Sequence, residues 1–178
     1  MITSAGLGRD IAGVATLAAL SLIVALTMNH FSAQPLPMPY QSPQHRLQSQ
    51  LAELVAAPPF ESFPVATIDF DQFHHAVDSK SDLILDARSA TFYRQGHVPG
   101  AINLSRDRFA SDYVGMRSTL EQNKDREVLV YCSGGACHDS KMVAQALTRL
   151  GFSQVRIFAG GWAVWAAAGL PADTGVKP

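Results

Sequence analysis

The chain has 178 residues, with 14 Lys and Arg against 15 Asp and Glu and a formal net charge of −1. That length suits one domain with an appendage, and the balanced charge gives no sign of a nucleic-acid partner. Hydrophobic residues make up 47% of the chain, an ordinary share for a globular protein, but they are unevenly distributed.

The segment Ile11–Met28, IAGVATLAALSLIVALTM, carries no charge over 18 residues. As a helix it would span about 27 Å, close to the thickness of a bilayer core. Arg9 precedes it, and no Lys or Arg follows until Arg46. This asymmetry predicts a cytoplasmic amino terminus and an external remainder. A cleaved signal peptide is the main rival. Its nearest candidate site, Phe31-Ser32-Ala33, has a large Phe where a small residue is wanted, so an uncleaved anchor is expected. A buried core helix is disfavoured by the polar segment that follows.

That segment, residues 31–63, holds Pro35, Pro37, Pro39, Pro43, Pro58 and Pro59, and Pro64 follows it. Proline at this density predicts an extended spacer. Within it, Gln44–Ala57 places Leu47, Leu51, Leu54 and Val55 at helical spacing. A short amphipathic helix is expected there, seated on the globular domain, on the membrane or on a partner.

Further along, Ala66–Ile68 predicts a strand and Asp69–Val77 a helix. Leu83–Leu85 is a strand closed by Asp86, Ser89–Arg94 a short helix, and Ala101–Asn103 a short strand. Arg108–Asn123 is polar and mixed, helical in part. Val128–Tyr131 is a strand. Met142, Val143, Ala146, Leu147 and Leu150 then recur at helical spacing before a last strand, Val155–Phe158. Alternating strands and helices predict a parallel sheet covered on both faces. Sites in such sheets form beyond the carboxyl ends of the strands. His74 and His75 are expected on a helix surface.

Chemistry concentrates in Glu127–Leu150, EVLVYCSGGACHDSKMVAQALTRL. Cys132 stands where a strand ends, on a glycine-rich loop that feeds a helix. Inward-pointing N–H groups and the helix N-terminus would favour the reactive thiolate. The plain alternative is a buried, inert cysteine.

Two other stretches join this one. Asp86-Ala87-Arg88 closes a strand, and Gly96-His97-Val98-Pro99-Gly100-Ala101-Ile102-Asn103 matches the pattern GH(I/V)PGA(I/V)N. Gly160-Gly161-Trp162, Trp165 and Gly169-Leu170-Pro171 follow in order. With the Cys132 loop they resemble the rhodanese-like domain family over residues 64–173. The resemblance implies a three-layer α/β fold with a five-stranded parallel sheet. It also implies a cysteine that takes sulfane sulfur from a donor such as thiosulfate, holds it as a persulfide and passes it on. Cys132 would be the nucleophile. The backbone N–H groups of Ser133, Gly134, Gly135, Ala136, Cys137, His138 and Asp139 would cradle the anion. Ser140 would either offer a hydroxyl or cap the helix. Asp86 and Arg88 would pair or cap near the rim and support the loop. Gly96–Gly100 would be turn chemistry, His97 a structural hydrogen-bonded residue, and Trp162 and Trp165 packing for the last helix.

The loop also departs from the family pattern. Many rhodanese loops carry an Arg shortly before the serine; this one has none and is longer. The added length resembles phosphatase relatives, which need Cys, five residues, then Arg. Here the corresponding residue is His138. An imidazole cannot replace the planar fork of arginine, so phosphatase activity is not expected. Protonated His138 could restore part of the charge; otherwise it is an exposed loop residue. Cys137 leaves three readings open. It pairs with Cys132 and silences or switches the site, it resolves a persulfide on Cys132, or both thiols stay free. Cys132, Cys137 and His138 also stand in the order used for covalent haem attachment, but the usual spacing between the cysteines is two residues. Haem is disfavoured, no cofactor is expected, and no residues have convincing zinc spacing.

The expected protein is a single-pass bacterial inner-membrane protein. Its tip and anchor occupy 1–30, its spacer 31–63, its domain 64–173 in the periplasm and its tail 174–178. Two functions compete. One is sulfur transfer through Cys132. The other is a non-catalytic module docked on a respiratory or photosynthetic membrane complex, or redox-active through a Cys132–Cys137 bond.

Overall fold

The computed structural model describes residues 4–32, 41–56, 64–135 and 137–175. The proline spacer expected around Pro35, Pro37, Pro39, Pro58 and Pro59, together with Ala136 and the last three residues of the tail, lies outside the described residues.

The chain divides into two units, residues 1–42 and 43–178. In the first, α1 runs Ser4–His30. Its stretch Ala12–His30 is long and apolar enough to cross a membrane. From Ala12 onward none of its described side chains is buried. Thr16, Ser21 and Thr27 each donate their hydroxyl to carbonyls one turn back, which satisfies these polar groups without water.

In the second unit, strand β4 (Glu127–Tyr131) shows how the sheet is built. Val128 and Val130 point into one apolar cluster and Leu129 and Tyr131 into another, the period of two that a strand buried on both faces requires. Five strands are ordered β1-β5-β4-β2-β3, and every pairing is parallel. The others are β1 (Ala66–Ile68), β2 (Leu83–Asp86), β3 (Ile102–Asn103) and β5 (Gln154–Phe158). One face is covered by Phe73, Ala76 and Val77 of α3 (Phe70–Ser79) and by Trp165 of α8 (Gly161–Ala167). The other is covered by α2 (Pro43–Ala56), α5 (Phe109–Gly115), α6 (Arg117–Gln122) and α7 (Asp139–Arg149). A short helix, α4 (Ala90–Gln95), follows β2. The expected three-layer α/β fold with a five-stranded parallel sheet is therefore observed. Element ends differ from the sequence expectation by a residue or two. One cause is visible at α3: Asp69 caps it, accepting from the Gln72 N–H at 2.8 Å, while Gln72 reaches back to the Asp69 N–H.

The amphipathic helix expected near Gln44–Ala57 forms as α2, and of its three expected seats it takes the domain. Leu51 and Val55 are buried in the core, Leu47 and Leu54 pack against it, and Arg149 of α7 donates to the Leu54 carbonyl. The compact unit thus begins at Pro43, earlier than the sequence boundary at 64. Replacing Leu51, which is 1% exposed, with Ala should cost about 2–5 kcal/mol of stability. A thermal melt of the full chain would test this; an unchanged midpoint would mean α2 contributes nothing to the core.

Glu121 gives the domain an acid-sensitive contact. Lys124 bonds its carboxylate at 2.8 Å and the Tyr113 hydroxyl donates to it at 2.8 Å. These bonds, the lysine's first, hold its pKa below the ordinary carboxyl value. The stabilisation is complete above that ordinary value and fades as pH falls through the lowered one. Glu121→Gln should therefore be less stable than the parent at pH 7, and the gap should narrow as pH falls below the ordinary carboxyl range. Denaturant titrations at a series of pH values check this.

Candidate active site

The site rests on a buried ion pair at the end of β2. Asp86 is fully buried and Arg88 is 4% exposed. Arg88 Nη2 donates to Asp86 Oδ2 at 2.6 Å, and Nε lies 3.0 and 3.1 Å from the two carboxylate oxygens. The Arg88 N–H adds a bond to Oδ1 at 2.9 Å. The Tyr131 hydroxyl donates to Oδ2 at 2.7 Å and accepts the Val98 N–H at 3.1 Å. Burial alone would pull the Arg88 pKa down, but the bonds and charge of Asp86 outweigh it, and the net shift is upward. Burial, aided by the charge of Asp86, pushes the Tyr131 phenol well above its ordinary value. The Arg88 guanidinium therefore stays charged and the Tyr131 phenol stays neutral near neutrality.

Cys132 follows Tyr131 directly and points to the opposite face, toward α7. Its carbonyl accepts the Trp162 N–H at 2.8 Å, and the Ser133 carbonyl accepts the Ala163 N–H at 3.0 Å. The loop is thus laid backbone to backbone on the start of α8. Gly134 (φ +102°) and Gly161 (φ +60°) are required at this crossing, because a Cβ on either would strike the other segment's backbone. Among the described residues, no backbone–backbone bond engages the N–H groups of Ser133, Gly134 or Gly135.

The Cys132 sulfur lies 3.3 Å from the hydroxyl oxygen of Ser140, and both residues are 3% exposed. It is joined to the sulfur of Cys137 in a disulfide with a Cα–Cα distance of 6.5 Å, within the range such bonds span. A turn closed by the Cys137 N–H to the Gly134 carbonyl, 3.3 Å, brings the second cysteine back. Beside it a cavity of about 270 Å³ is lined by Gly135, Cys137, His138, Ser140 and Lys141, with β1 and β5 residues behind.

A family model described as "Rhodanese-like domain" matches residues 69–168. The chain belongs to the rhodanese-like domain family. Its similarity to "Uncharacterized protein YibN" of Escherichia coli K12 is 35% identity over 96 residues, covering 53% of this chain and 63% of that protein. The chain therefore spans less than two thirds of that relative. It is 30% identical over 98 residues to "Thiosulfate sulfurtransferase GlpE" of Shewanella oneidensis, covering 55% of this chain and 89% of that one. The solution structure of a rhodanese-like domain from the Anabaena protein Alr3790 aligns with a TM-score of 0.51 at 25% identity, over 64% of this chain and 82% of that one.

In this rhodanese-like domain, the residues expected at the site gather at the carboxyl ends of β2 and β4. Asp86 and Arg88 pair as expected, though they brace the strand end below the loop and do not touch the cradle. Ser140 does not cap α7: the cap position is His138, whose side chain makes no capping bond, and the Ser140 hydroxyl faces the sulfur. His138 is exposed at the cavity edge. Asp139 opens α7 and pairs with Arg106 at 4.0 Å. His97 is fully buried, with Nδ1 2.8 Å from the Tyr93 carbonyl and its ring stacked on Tyr93. Trp165 packs the core as expected. Trp162 packs against the same cluster and also lies against the Arg88 guanidinium at 4.8 Å. Three participants went unnoticed in the sequence: Tyr131, Arg106 and Lys141. Lys141 had a visible signal, a cation directly after the serine.

The ion pair supplies a graded test. Asp86→Asn leaves Arg88 buried without its counter-charge and should cost about 3–5 kcal/mol. Tyr131→Phe strips one bond from Asp86 and one from Val98, costing about 1–3 kcal/mol. Equal, negligible losses in urea titrations would contradict this ordering.

Proposed function

We propose that this chain is a membrane-anchored carrier of sulfane sulfur, with Cys132 as the residue that bears it. The observation that carries this reading is the setting of the Cys132 sulfur: Ser140 hydroxyl at 3.3 Å, the N–H groups of Ser133, Gly134 and Gly135 that no backbone–backbone bond engages among the described residues, and the first turn of α7. In the reduced protein these favour a thiolate. The thiolate attacks the outer sulfur of a donor such as thiosulfate. A bond forms from Cys132 to that sulfur, the bond to the sulfonate sulfur breaks, and sulfite leaves with its electron pair. The loop N–H groups then cradle the terminal sulfur anion until an acceptor nucleophile removes it and returns the thiolate. Lys141 lines the cavity on the donor's approach and supplies positive charge that the loop, lacking arginine, does not. Sulfurtransferases among the relatives support this chemistry.

α1 serves as the anchor, holding the domain on the periplasmic side of a bacterial inner membrane. Its length and composition support a span, and the placement of Arg9 supports the orientation. A second reading is favoured by the Cys132–Cys137 bond, which ties up the nucleophile: a non-catalytic module docked on a membrane complex.

Intact mass separates the two. The reduced full chain, mixed with thiosulfate, should release sulfite and gain one sulfur atom per chain, at least transiently, and Cys132→Ser should do neither. A reduced chain that gains no sulfur and releases no sulfite would favour the docking module.

A further inference from the structure

We propose that Cys137 is a resolving cysteine: the site discharges its sulfur as sulfide, closes to the Cys132–Cys137 disulfide, and is reopened by an external dithiol. This deepens the carrier reading and rests on it. The two sulfurs are already bonded, on one loop, with Cα atoms 6.5 Å apart. The turn that makes this possible uses Gly134 and Gly135 at φ +102° and +62° and the Cys137 N–H bond to Gly134. The pair is also asymmetric. Cys132 is 3% exposed within the core cluster, whereas Cys137 is half-buried and lines the cavity with His138, Ser140 and Lys141.

That asymmetry gives each sulfur one task. After sulfite has left, Cys132 carries the sulfane sulfur. The Cys137 thiolate attacks the Cys132 sulfur. The Cys132–Cys137 bond forms, the bond from Cys132 to the terminal sulfur breaks, and hydrosulfide leaves with its electron pair. The two thiols have then supplied two electrons, reducing the sulfane sulfur to sulfide. The dithiol enters through the cavity, and its first thiolate attacks the accessible sulfur, Cys137. Cys132 departs as a thiolate into the setting of Ser140 and the loop N–H groups, restoring the nucleophile. The second thiol displaces the mixed disulfide, and the reductant leaves oxidised. In sum, thiosulfate and a dithiol yield sulfite, sulfide and a disulfide.

The test uses the full-length protein in detergent, reduced, freed of reductant and mixed with one equivalent of thiosulfate. Sulfite, sulfide and intact mass are followed together. Wild type should release equal amounts of sulfite and sulfide, end two hydrogens lighter, and turn over again only after dithiothreitol is added. Cys137→Ser and Cys137→Ala should each trap the persulfide, one sulfur heavier, with sulfide release reduced about tenfold or more. A wild type that stays one sulfur heavier, or variants that release sulfide at the wild-type yield, overturn the resolving role and leave the carrier reading standing. No sulfite from any of the three proteins overturns both.

Discussion

Two opposite charges sealed at the end of β2 hold the rest of the site in place. An unpaired carboxylate or guanidinium at that depth would cost several kcal/mol. Neither is unpaired: Asp86 accepts from the Arg88 side chain, from the Arg88 N–H and from Tyr131. Arg88 spends its remaining reach on the Gly96 carbonyl, 2.7 Å away, and on the face of Trp162. One pair therefore ties β2 to β4, where Asp86 and Tyr131 stand in register. It also ties both strands to the turn before β3 and to the first residues of α8. Breaking it would disturb the strand end from which the Cys132 loop departs. The resemblance suggested support for the loop; the pair's contacts in that direction are the Tyr131 hydroxyl and the Trp162 ring.

From that fixed strand end, the alternation of a β-strand divides the labour between adjacent residues. Tyr131 points into the ion-pair side and Cys132 toward α7, where Ser140 waits. The loop between them and α7 begins against the start of α8. It is pinned on α8 by two backbone bonds, and Gly134 and Gly161 permit an approach that no side chain could accommodate. The carbonyls of Cys132 and Ser133 are consumed in this contact, while the neighbouring N–H groups remain unengaged among the described residues. Such a loop presents donors and hides acceptors, an arrangement suited to an anion.

Much of this was legible beforehand, for identifiable reasons. Strands that are buried on both faces leave short apolar runs, and the motifs around Gly96–Asn103 and Gly160–Trp162 mark turns whose geometry tolerates few substitutes. Other features leave ambiguous traces. The stripe of Leu47, Leu51, Leu54 and Val55 says that one face of a helix is covered, but not by what; only packing assigns it to α5 and α7. A serine near a helix start reads the same whether it caps the helix or turns toward a sulfur. The family pattern places its cation at one loop position, so Lys141 leaves no motif trace, yet an ammonium in the first turn of the next helix can face the same cavity. Tyr131 reads as one more apolar strand residue, and its hydroxyl matters only because Asp86 lies beside it across the sheet.

The added loop length and the missing arginine are best understood together. The loop that carries an arginine in the commoner pattern carries Cys137 here, bonded to Cys132. A guanidinium holds a sulfonate still and stabilises a persulfide that must wait for its acceptor. A second thiol beside the first makes waiting unnecessary, since the acceptor is already at bonding distance. Weaker anion binding is then tolerable, because the step that commits the sulfur is intramolecular. The cation that remains at the cavity, Lys141, is a point charge without the planar fork of arginine and suits a donor that binds briefly and departs as sulfite. On this reasoning the loop is a coherent alternative to the arginine-bearing form, with its own requirement: a source of reducing equivalents that can reach the Cys132–Cys137 bond.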